Sequence, residues 1–278
     1  MQNLKKSIKI RPFIKWPGSK YRLLNFILAK LPLGKVLIEP FVGSGAVFLN
    51  TNYENYILGD ANQDIINLYK TLQQYGDEFI NFCSKFFVIK NNTAAQYYKM
   101  RTQFNNMDND PITRAALFLY LNRHGYNGLC RFNKNNKFNV PFGRHSNLNF
   151  PAESMRLFCL KAKRAQFFLR DFKESLTKIK MQNAVVYCDP PYVPLSSTAN
   201  FINYQSGGFD AGNQQLLADI AIKLSKKGVP VLISNHFTLL TKKIYSKATE
   251  LTTFQARRMI SCKANSRNEV TEVLALYC

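Results

Sequence analysis

Short apolar runs, rich in β-branched and aromatic residues, recur towards both ends of the chain. Such runs predict buried strands, and they lie at 36–41, 56–59, 166–169, 184–188, 229–234 and 272–277. From residue 151 onward the runs alternate with segments of helical spacing. That alternation is typical of βαβ units and predicts a mainly parallel sheet.

The middle of the chain has a different pattern. Apolar residues recur every three or four positions through 65–72 and again through 115–121, which predicts helices. A loop-rich stretch of Gly, Asn, basic and aromatic residues follows the second helix. We therefore expect an α/β domain built from both chain ends, 1–62 and 151–278, interrupted by a mostly helical insert at 63–150.

Charge adds a candidate partner. The 38 Lys and Arg against 17 Asp and Glu give a net charge of +21 at pH 7, which favours a polyanion and above all nucleic acid. No acidic residue occurs before Glu39 or from Pro111 to Ala152, and a third acid-free basic stretch holds Arg257, Arg258, Lys263 and Arg267. For any one stretch, a solvated basic face is the alternative interpretation.

Cysteine usage and hydropathy indicate where the protein acts. The six cysteines, at 83, 130, 159, 188, 262 and 278, form no C-x-x-C pair and no His cluster accompanies them. We expect no metal site and a reducing, cytoplasmic environment in a bacterium or an infected cell. The chain has neither a secretory apolar region nor a run of about 18 apolar residues, so we expect no membrane association. The expected oligomeric state is a monomer.

The tetrapeptide Asp189-Pro190-Pro191-Tyr192 follows the apolar run at 184–188. Ligands of open α/β sheets bind outside the carboxyl ends of the strands, so we expect Asp189 at a site. An Asp oxygen and the carbonyl of Pro190 can each accept a hydrogen bond from an amino group, and the prolines offer no competing N–H. With the Tyr192 ring covering a flat base, the arrangement suits the exocyclic amine of a nucleobase. A strand followed by a plain proline turn is the alternative.

A glycine-rich turn follows the first strand. Phe41-Val42-Gly43-Ser44-Gly45 leads into a helical segment, and Asp60 ends the next strand 17 residues beyond Gly43. In nucleotide-binding α/β folds, an acid about 20 residues onward binds the ribose hydroxyls. No third glycine completes the dinucleotide fingerprint, so S-adenosylmethionine fits better than NAD. An ordinary turn is the alternative.

Taken in order, these motifs resemble those of the DNA adenine-N6 methyltransferases, and closely those of the Dam family. The resemblance covers nearly the whole chain through F-I-K-W-P-G-S-K, E-P-F-V-G-S-G, G-D-A-N, Y-N-G-L-C-R, F-N-V-P-F-G-R, D-P-P-Y and V-L-I-S-N. It implies a Rossmann-like S-adenosylmethionine-dependent methyltransferase sheet at 1–62 and 151–278, with a target-recognition domain at 63–150. It also implies methylation of N6 of adenine in duplex DNA, with GATC as the target.

The resemblance further implies the cofactor-binding residues, which are Trp16, Lys20, Phe41, Gly43, Asp60 and Asp189. Pro17 and Ser19 depart from the family pattern, which commonly has a small residue and a glycine at these positions. These two substitutions put in question whether the N-terminal loop has the backbone geometry that is usual in the family.

Two basic and aromatic blocks, 126–131 and 138–144, carry the expectation of DNA recognition. Arg and Lys suit guanine edges and Asn suits adenine or a phosphate, while aromatic and leucine side chains can enter the base stack. A hairpin that touches only phosphates is the alternative. By resemblance, Lys15 and Arg131 read guanines and Tyr126 enters the stack, and the other implied DNA-binding residues are Arg123, Asn127, Leu129, Asn139, Pro141, Arg144 and His145. His124 and His145 stand where relatives often carry tyrosine, and we expect phosphate or surface contacts from both.

The expected mechanism uses Asp189, Pro190 and Tyr192 as catalytic residues acting on a flipped adenine. A cytosine-C5 mechanism needs a nucleophilic cysteine beside a proline, and none of the six cysteines is next to a proline.

Methylation of cytosine N4, of RNA or of another sequence remains an alternative. A non-catalytic DNA-binding protein on this fold is a further alternative, although it should have lost Asp189, Tyr192 or Asp60. Roles in replication and mismatch repair, in restriction–modification or in a phage all stay open.

Overall fold

The sheet is the core of the α/β part of the chain. The computed structural model describes residues 9–106, 110–146, 149–177, 179, 183–192, 209–257 and 269–278. Its strands are β1 (Val36–Glu39), β2 (Asn55–Asp60), β3 (Ala165–Leu169), β4 (Ala184–Cys188), β5 (Val231–His236), β6 (Glu250–Arg257) and β7 (Glu269–Tyr277). They form a seven-stranded sheet in the order β3-β2-β1-β4-β5-β7-β6. The first five pair in parallel and β7 is antiparallel to both neighbours. The predicted Rossmann-like α/β fold with a mainly parallel sheet is confirmed.

Several strands differ from the prediction in their bounds, β7 for example beginning at Glu269, and one strand was not predicted. β5 begins at Val231 and ends at His236, two residues later than the apolar run suggested. β6 was not predicted at all, because its sequence Glu-Leu-Thr-Thr-Phe-Gln-Ala-Arg has no continuous apolar run. Among the described strands it lies at the edge of the sheet and pairs with β7 alone, and most of its side chains are polar.

The central strands are apolar because both faces of the sheet are covered. All five residues of β4 are buried, and the first five of β5 are also buried. Helix side chains such as Leu217, Ala221 and Leu224 pack against them. A strand buried on both faces is a near-continuous apolar run and not an alternating one.

Because the first five strands pair in parallel, their carboxyl ends lie at the same edge of the sheet. Because β1, β2, β4 and β5 run in the same direction, their carboxyl ends meet at one edge of the sheet. Glu39 and Asp60 end β1 and β2, and Asp189 follows β4 directly. On the antiparallel β7, Glu272 pairs with His236 at the end of β5 and so reaches the same edge. The sheet therefore brings four carboxylates to one edge, where a ligand site is expected.

The helices are α1 (Leu24–Lys30), α2 (Ala46–Asn50), α3 (Gln63–Ser84), α4 (Ala94–Asn106), α5 (Pro111–His124), α6 (Ala152–Ala162), α7 (Phe172–Thr177), α8 (Ala211–Ser225) and α9 (Leu239–Ile244), with 3-10 turns at Lys20–Leu23, Ile89–Asn91 and Tyr126–Gly128. α5 begins where Asp110 caps it by accepting from the backbone of Ile112 and Thr113. From Ala115 to Asn122 every residue of α5 is fully buried, which explains its apolar sequence. None of the helices in the described ranges is both long and apolar enough to cross a membrane.

The chain packs into two compact units. The helical unit comprises residues 1–24, 43–52 and 64–163, and the sheet unit comprises 25–42, 53–63 and 164–278. This grouping follows packing alone. The predicted division at 1–62, 63–150 and 151–278 concerns which residues bind cofactor and DNA, and it stays a prediction.

Candidate functional site

In the sheet unit, carboxylates end the first two strands. Glu39 is only 2% exposed at the end of β1, and Asp60 is half-buried at the end of β2. The Asp60 Oδ1 accepts a hydrogen bond from the backbone N–H of Asn62 at 2.9 Å. The loop after β1 is tied to β2 by the Val42 N–H, which donates to the Gly59 carbonyl at 2.8 Å. Asp60 is therefore fixed at the end of β2 with part of its surface exposed, and Glu39 lies buried at the end of the neighbouring strand.

Phe41 forms an apolar wall in the same unit. Its ring stacks on Phe172 with centroids 5.5 Å apart and meets the edge of Phe209 at 5.6 Å. Its side chain remains half-buried. Phe41 thus has a packing role in addition to any contact with a ligand.

Asp189 is oriented by the neighbouring strand. The Ser234 hydroxyl on β5 donates to the Asp189 Oδ1 at 3.1 Å, and Ser234 is only 1% exposed. The Tyr187 hydroxyl lies 3.0 Å from the Ser234 oxygen. Asp189 is half-buried and Pro190 is buried. The carboxylate therefore has a defined rotamer before any substrate arrives.

The ring of Tyr192 is held at its hydroxyl and at its edge. Its hydroxyl donates to the Glu272 Oε2 at 2.9 Å, and its ring meets the His236 ring edge-on with centroids 4.6 Å apart. Desolvation, followed by the carboxylates of Asp189 and Glu272, raises the pKa of Tyr192 well above its usual value. The hydroxyl consequently stays protonated and remains a donor at neutral pH.

In the helical unit, Trp16 packs closely over the glycine-rich turn. Gly43 has a φ of +45°, and a Cβ there would lie 3.0 Å from the Trp16 ring. The Tyr69 hydroxyl also donates to the Gly43 carbonyl at 2.6 Å. Glycine is required at this position both by its conformation and by the approach of Trp16.

The N-terminal loop accommodates its two unusual residues. Lys20 is only 6% exposed, and its Nζ donates to the Gly18 carbonyl at 2.7 Å. The Ser19 hydroxyl lies 2.8 Å from that of Ser44. Ser19 has a φ of −49°, which any residue adopts, while Gly18 takes the left-handed conformation at +78°. Pro17 is exposed. A serine in place of the family's usual glycine therefore causes no backbone strain at position 19.

Asn122 connects Lys15 to the loop that follows α5. Its Oδ1 accepts from the Lys15 N–H at 2.9 Å, and its Nδ2 donates to the Lys15 carbonyl at 2.6 Å and to the Gly128 carbonyl at 3.3 Å. Asn122 has no exposed surface. A single buried amide thus brings two segments of the predicted DNA interface together in the helical unit.

Cations accumulate next to this junction. Desolvation, followed by the charge of Arg123, lowers the pKa of Lys15. Desolvation, followed by the charge of Arg11, lowers the pKa of Arg123. Like charges that repel one another at a protein surface favour a bound anion, and a phosphate would relieve the repulsion.

The remaining predicted DNA-binding residues lie on the surface beside this junction. Tyr126 is 51% exposed, and its N–H donates to the Pro141 carbonyl at 2.9 Å. Bridges pair Gly125 with Phe142 and Phe132 with Phe138. Asn127, Pro141 and Arg144 are exposed, and Leu129 and His145 are half-buried.

Arg131 is exposed, and Asn139 holds one edge of its guanidinium. The Arg131 Nε donates to the Asn139 Oδ1 at 2.7 Å, and an amino nitrogen donates to the Asn139 carbonyl at 3.2 Å. The end of a guanidinium carries further N–H groups, which suit the two acceptors on a guanine edge. Asn139 therefore orients Arg131, whatever else it contacts.

The expectation of a surface contact is wrong for His124. The side chain is 1% exposed and its Nδ1 lies 2.9 Å from the Tyr120 carbonyl, so it cannot reach a phosphate. Its ring instead packs on Tyr120 with centroids 3.9 Å apart. His145 is half-buried and its Nε2 lies 3.2 Å from the Gly125 carbonyl.

Several residues that shape the site were not identified from the sequence. They are Glu39, Asn122, Gln214, Ser234 and Glu272, all of them buried polar residues. Asn122 stands out in the sequence as a lone polar residue within an apolar helical run. Glu39 and Ser234 stand in two of the quoted motifs, but nothing in the sequence indicated their contacts, and Gln214 and Glu272 gave no signal. Within the described ranges no group of three or more His, Cys, Asp or Glu could hold a metal ion.

Comparisons with known proteins complete these observations. The sequence model of the D12 class N6 adenine-specific DNA methyltransferase family matches residues 16–260. The DNA adenine methylase of Escherichia coli (strain K12) is 47% identical over 269 residues, which cover 97% of this chain and 96% of that protein. The DNA adenine methylase of Serratia marcescens is 48% identical over 270 residues, covering 97% and 99%. A solved structure of a proposed methyltransferase from Streptococcus mutans, in complex with SAH, covers 97% of this chain at 8% identity with a TM-score of 0.36.

Proposed function

The chain belongs to the D12 class of N6 adenine-specific DNA methyltransferases, and we propose that it transfers a methyl group from S-adenosyl-L-methionine to N6 of adenine at GATC sites in duplex DNA. The observation that carries the proposal is the carboxylate of Asp189, held by Ser234 at the end of β4 and followed by two prolines. In a member of this family, a carboxylate held in this way is suited to binding an exocyclic amine.

The base-binding residues act after the adenine leaves the duplex. Flipping the base costs a few kcal/mol, since it must be unpaired and unstacked. Asp189 and the carbonyl of Pro190 then accept hydrogen bonds from the two N–H groups of the N6 amine, which directs the nitrogen lone pair at the methyl group. As the N–C bond forms, the S–CH3 bond would break to leave S-adenosylhomocysteine, and one N6 proton would be released to solvent. The ring of Tyr192, held by Glu272, covers the base. Positioning of bound reactants and a carboxylate beside the developing positive nitrogen lower the barrier.

The cofactor is supported by the chemistry of the groups at the sheet edge. S-adenosylmethionine supplies an electrophilic methyl group on a sulfonium centre, and it carries a ribose, an ammonium and an aromatic base. In the sheet unit, Asp60 accepts hydrogen bonds from the ribose hydroxyls of the cofactor, and Phe41 contacts the adenine ring of the cofactor. Asp189 lies next to its methylsulfonium group. The buried carboxylate of Glu39 suits the ammonium group. In the helical unit, Trp16, Lys20 and Gly43 are the proposed cofactor residues.

DNA is read by the helical unit. Lys15 and Arg131 bind guanines, and Tyr126 enters the stack beside the flipped base. The mutual repulsion of Lys15, Arg123 and Arg11 supports a phosphate close to this junction. The remaining proposed contacts are Asn127, Leu129, Asn139, Pro141, Arg144 and His145. The functional division proposed is a catalytic domain at 1–62 and 151–278 and a target-recognition domain at 63–150.

The proposal extends to the form and location of the protein. We propose a monomer that acts on DNA in the cytoplasm of a bacterium or an infected cell. Thiols that are all free among the described cysteines support a reducing compartment.

The test is methylation of a defined duplex by the purified protein. Duplex DNA with one GATC site, incubated with protein and cofactor, should become resistant to a nuclease that cleaves only unmethylated GATC. Asp189→Ala should abolish transfer and leave DNA affinity within a few-fold, because Asp189 contacts the flipped base and not the duplex. Methylation of a different base, or near-normal turnover by Asp189→Ala, would contradict the proposal.

A further inference from the structure

Two prolines limit how the backbone of the Asp189–Tyr192 turn can be held in place. Pro190 and Pro191 have no N–H, so neither residue can donate a backbone hydrogen bond to the sheet or to a neighbouring loop. Their carbonyl oxygens are the backbone groups that can still be bound. The Pro191 carbonyl accepts from the Nε2 of Gln214 on α8 at 2.8 Å. A side-chain amide thus holds the second proline of the turn.

Gln214 is itself fixed by two partners. Its Oε1 accepts from the Asn235 Nδ2 at 3.0 Å and from the Tyr245 hydroxyl at 2.9 Å. The Asn235 Nδ2 donates its other hydrogen to the Tyr245 oxygen at 3.0 Å. Because two donors converge on the Oε1, the amide cannot be flipped, and its NH2 must face Pro191.

Asn235 and Tyr245 are also defined. The Asn235 Oδ1 accepts from the His236 N–H at 2.8 Å, so the Nδ2 has to face Gln214. Desolvation raises the pKa of Tyr245, which keeps its hydroxyl protonated as a donor. Gln214 and Tyr245 are each 1% exposed, and Asn235 is fully buried. A closed, buried hydrogen-bond ring of this kind holds one geometry, since an unsatisfied member would be costly.

The anchored carbonyl lies between the two groups that meet the base. One residue before it is the Pro190 carbonyl, the proposed acceptor for the amine, and one residue after it is Tyr192. The Pro191 ring restricts φ to about −65°, so holding its carbonyl also limits the two adjacent peptide planes. From this we infer that Gln214, supported by Asn235 and Tyr245, is a positioning residue that presets the Asp189–Tyr192 turn for methyl transfer. The inference rests on the proposed function.

The experiment compares single-turnover methylation by full-length wild type, Gln214→Glu, Gln214→Leu and the control Gln215→Leu. An ionised glutamate at position 214 can still accept from Asn235 and Tyr245 but cannot donate to Pro191, and a leucine can do neither. The control residue is exposed and bonds within its own helix to Asp219. Dissociation constants for GATC duplex and cofactor, and thermal midpoints, are measured for each protein.

Both variants at position 214 should transfer methyl about 10–100-fold more slowly, the scale of a misplaced reacting group. Their affinities for DNA and cofactor should change little, and Gln215→Leu should match the wild type. A wild-type transfer rate in folded Gln214→Leu would overturn the inference, as would losses of rate and affinity in parallel.

Misfolding of the variants and failure of the proposed function can each be distinguished from failure of the inference. If neither variant at position 214 folds, Tyr245→Phe removes only one donor to Gln214. Slowed transfer by Tyr245→Phe with unchanged affinities supports the inference, and a wild-type rate overturns it. If the wild type itself does not methylate adenine, the proposed function fails before any variant is considered, and the inference fails with it.

Discussion

At the scale of single residues, His124 is held neutral by its surroundings. Desolvation, opposed by its contact with the Tyr120 carbonyl and reinforced by nearby cations, lowers the pKa of His124 to about 4. In an unfolded chain the pKa of histidine is about 6.5. The unfolded state therefore binds the proton more readily than the folded state.

Stability should accordingly fall in acid. Above about pH 6.5 the histidine is neutral in both states, and as the pH falls from there to about 4 the unfolded state gains the proton first, at a cost of about 3 kcal/mol. Unfolding by denaturant between pH 7 and pH 4.5 measures this loss. His124→Tyr, which introduces the residue that relatives often carry, should flatten the profile, and the control His145→Tyr should retain it. Parallel profiles for wild type and His124→Tyr would contradict the assignment.

At the scale of elements, the loop after α5 depends on one glycine. Gly128 has a φ of +63°, and a Cβ there would lie 2.4 Å from the Cβ and Cδ of Lys15. Asn122 holds the backbones of both residues. The loop and the Lys15 side chain therefore share a space that only glycine leaves open.

Gly128→Ala should weaken DNA binding as well as stability, because Lys15 has to move. Gly228→Ala is the control, since Gly228 also has a positive φ, of +76°, and nothing lies within 4 Å of its Cβ position. The backbone strain common to both is about 1–2 kcal/mol. Thermal unfolding and GATC-duplex affinity should show an extra stability loss and a binding defect for Gly128→Ala alone. Equal effects of the two substitutions would show that the contact with Lys15 is unimportant.

At the scale of the whole molecule, the net charge of +21 governs the electrostatic attraction between the protein and DNA. Basic residues that neutralise phosphates release counterions, so affinity should fall steeply with salt. Of the three acid-free stretches, the third lies outside the described residues beyond Arg257, and the first two belong largely to the helical unit. Charge brings DNA to the surface, while base contacts select the site.

Arg131→Ala and Lys134→Ala should separate these two effects. A bidentate contact between Arg and guanine is worth about 1–3 kcal/mol of discrimination, so Arg131→Ala should slow methylation of GATC more than that of sites with one guanine replaced. Lys134 is exposed in the same loop, and its loss should weaken all sequences alike and reduce the salt slope by about 1. Initial rates on GATC and its single-base variants decide between them. A uniform loss for Arg131→Ala would mean that it contacts only the backbone.

The sequence by itself determined the fold class, the family and the order of the motifs. Parallel strands buried on both faces have to be apolar throughout, so β4 could be located to the residue and Asp189 to the end of its strand. The motifs are local too, because a turn or a proline pair acts through adjacent residues. Strand β6 escaped prediction because an edge strand need not be apolar.

Only the tertiary structure decided which polar residues are buried and what they hold. Gln214 meets Pro191 across 23 positions of sequence, Glu272 meets Tyr192 across 80, and Asn122 meets Lys15 across 107. His124 was expected at the surface, and the packing of Tyr120 against it placed it inside. A polar side chain has the same identity whether it is solvated or buried. Its role depends on the partner that packing brings to it, and that partner is set by the arrangement of whole elements.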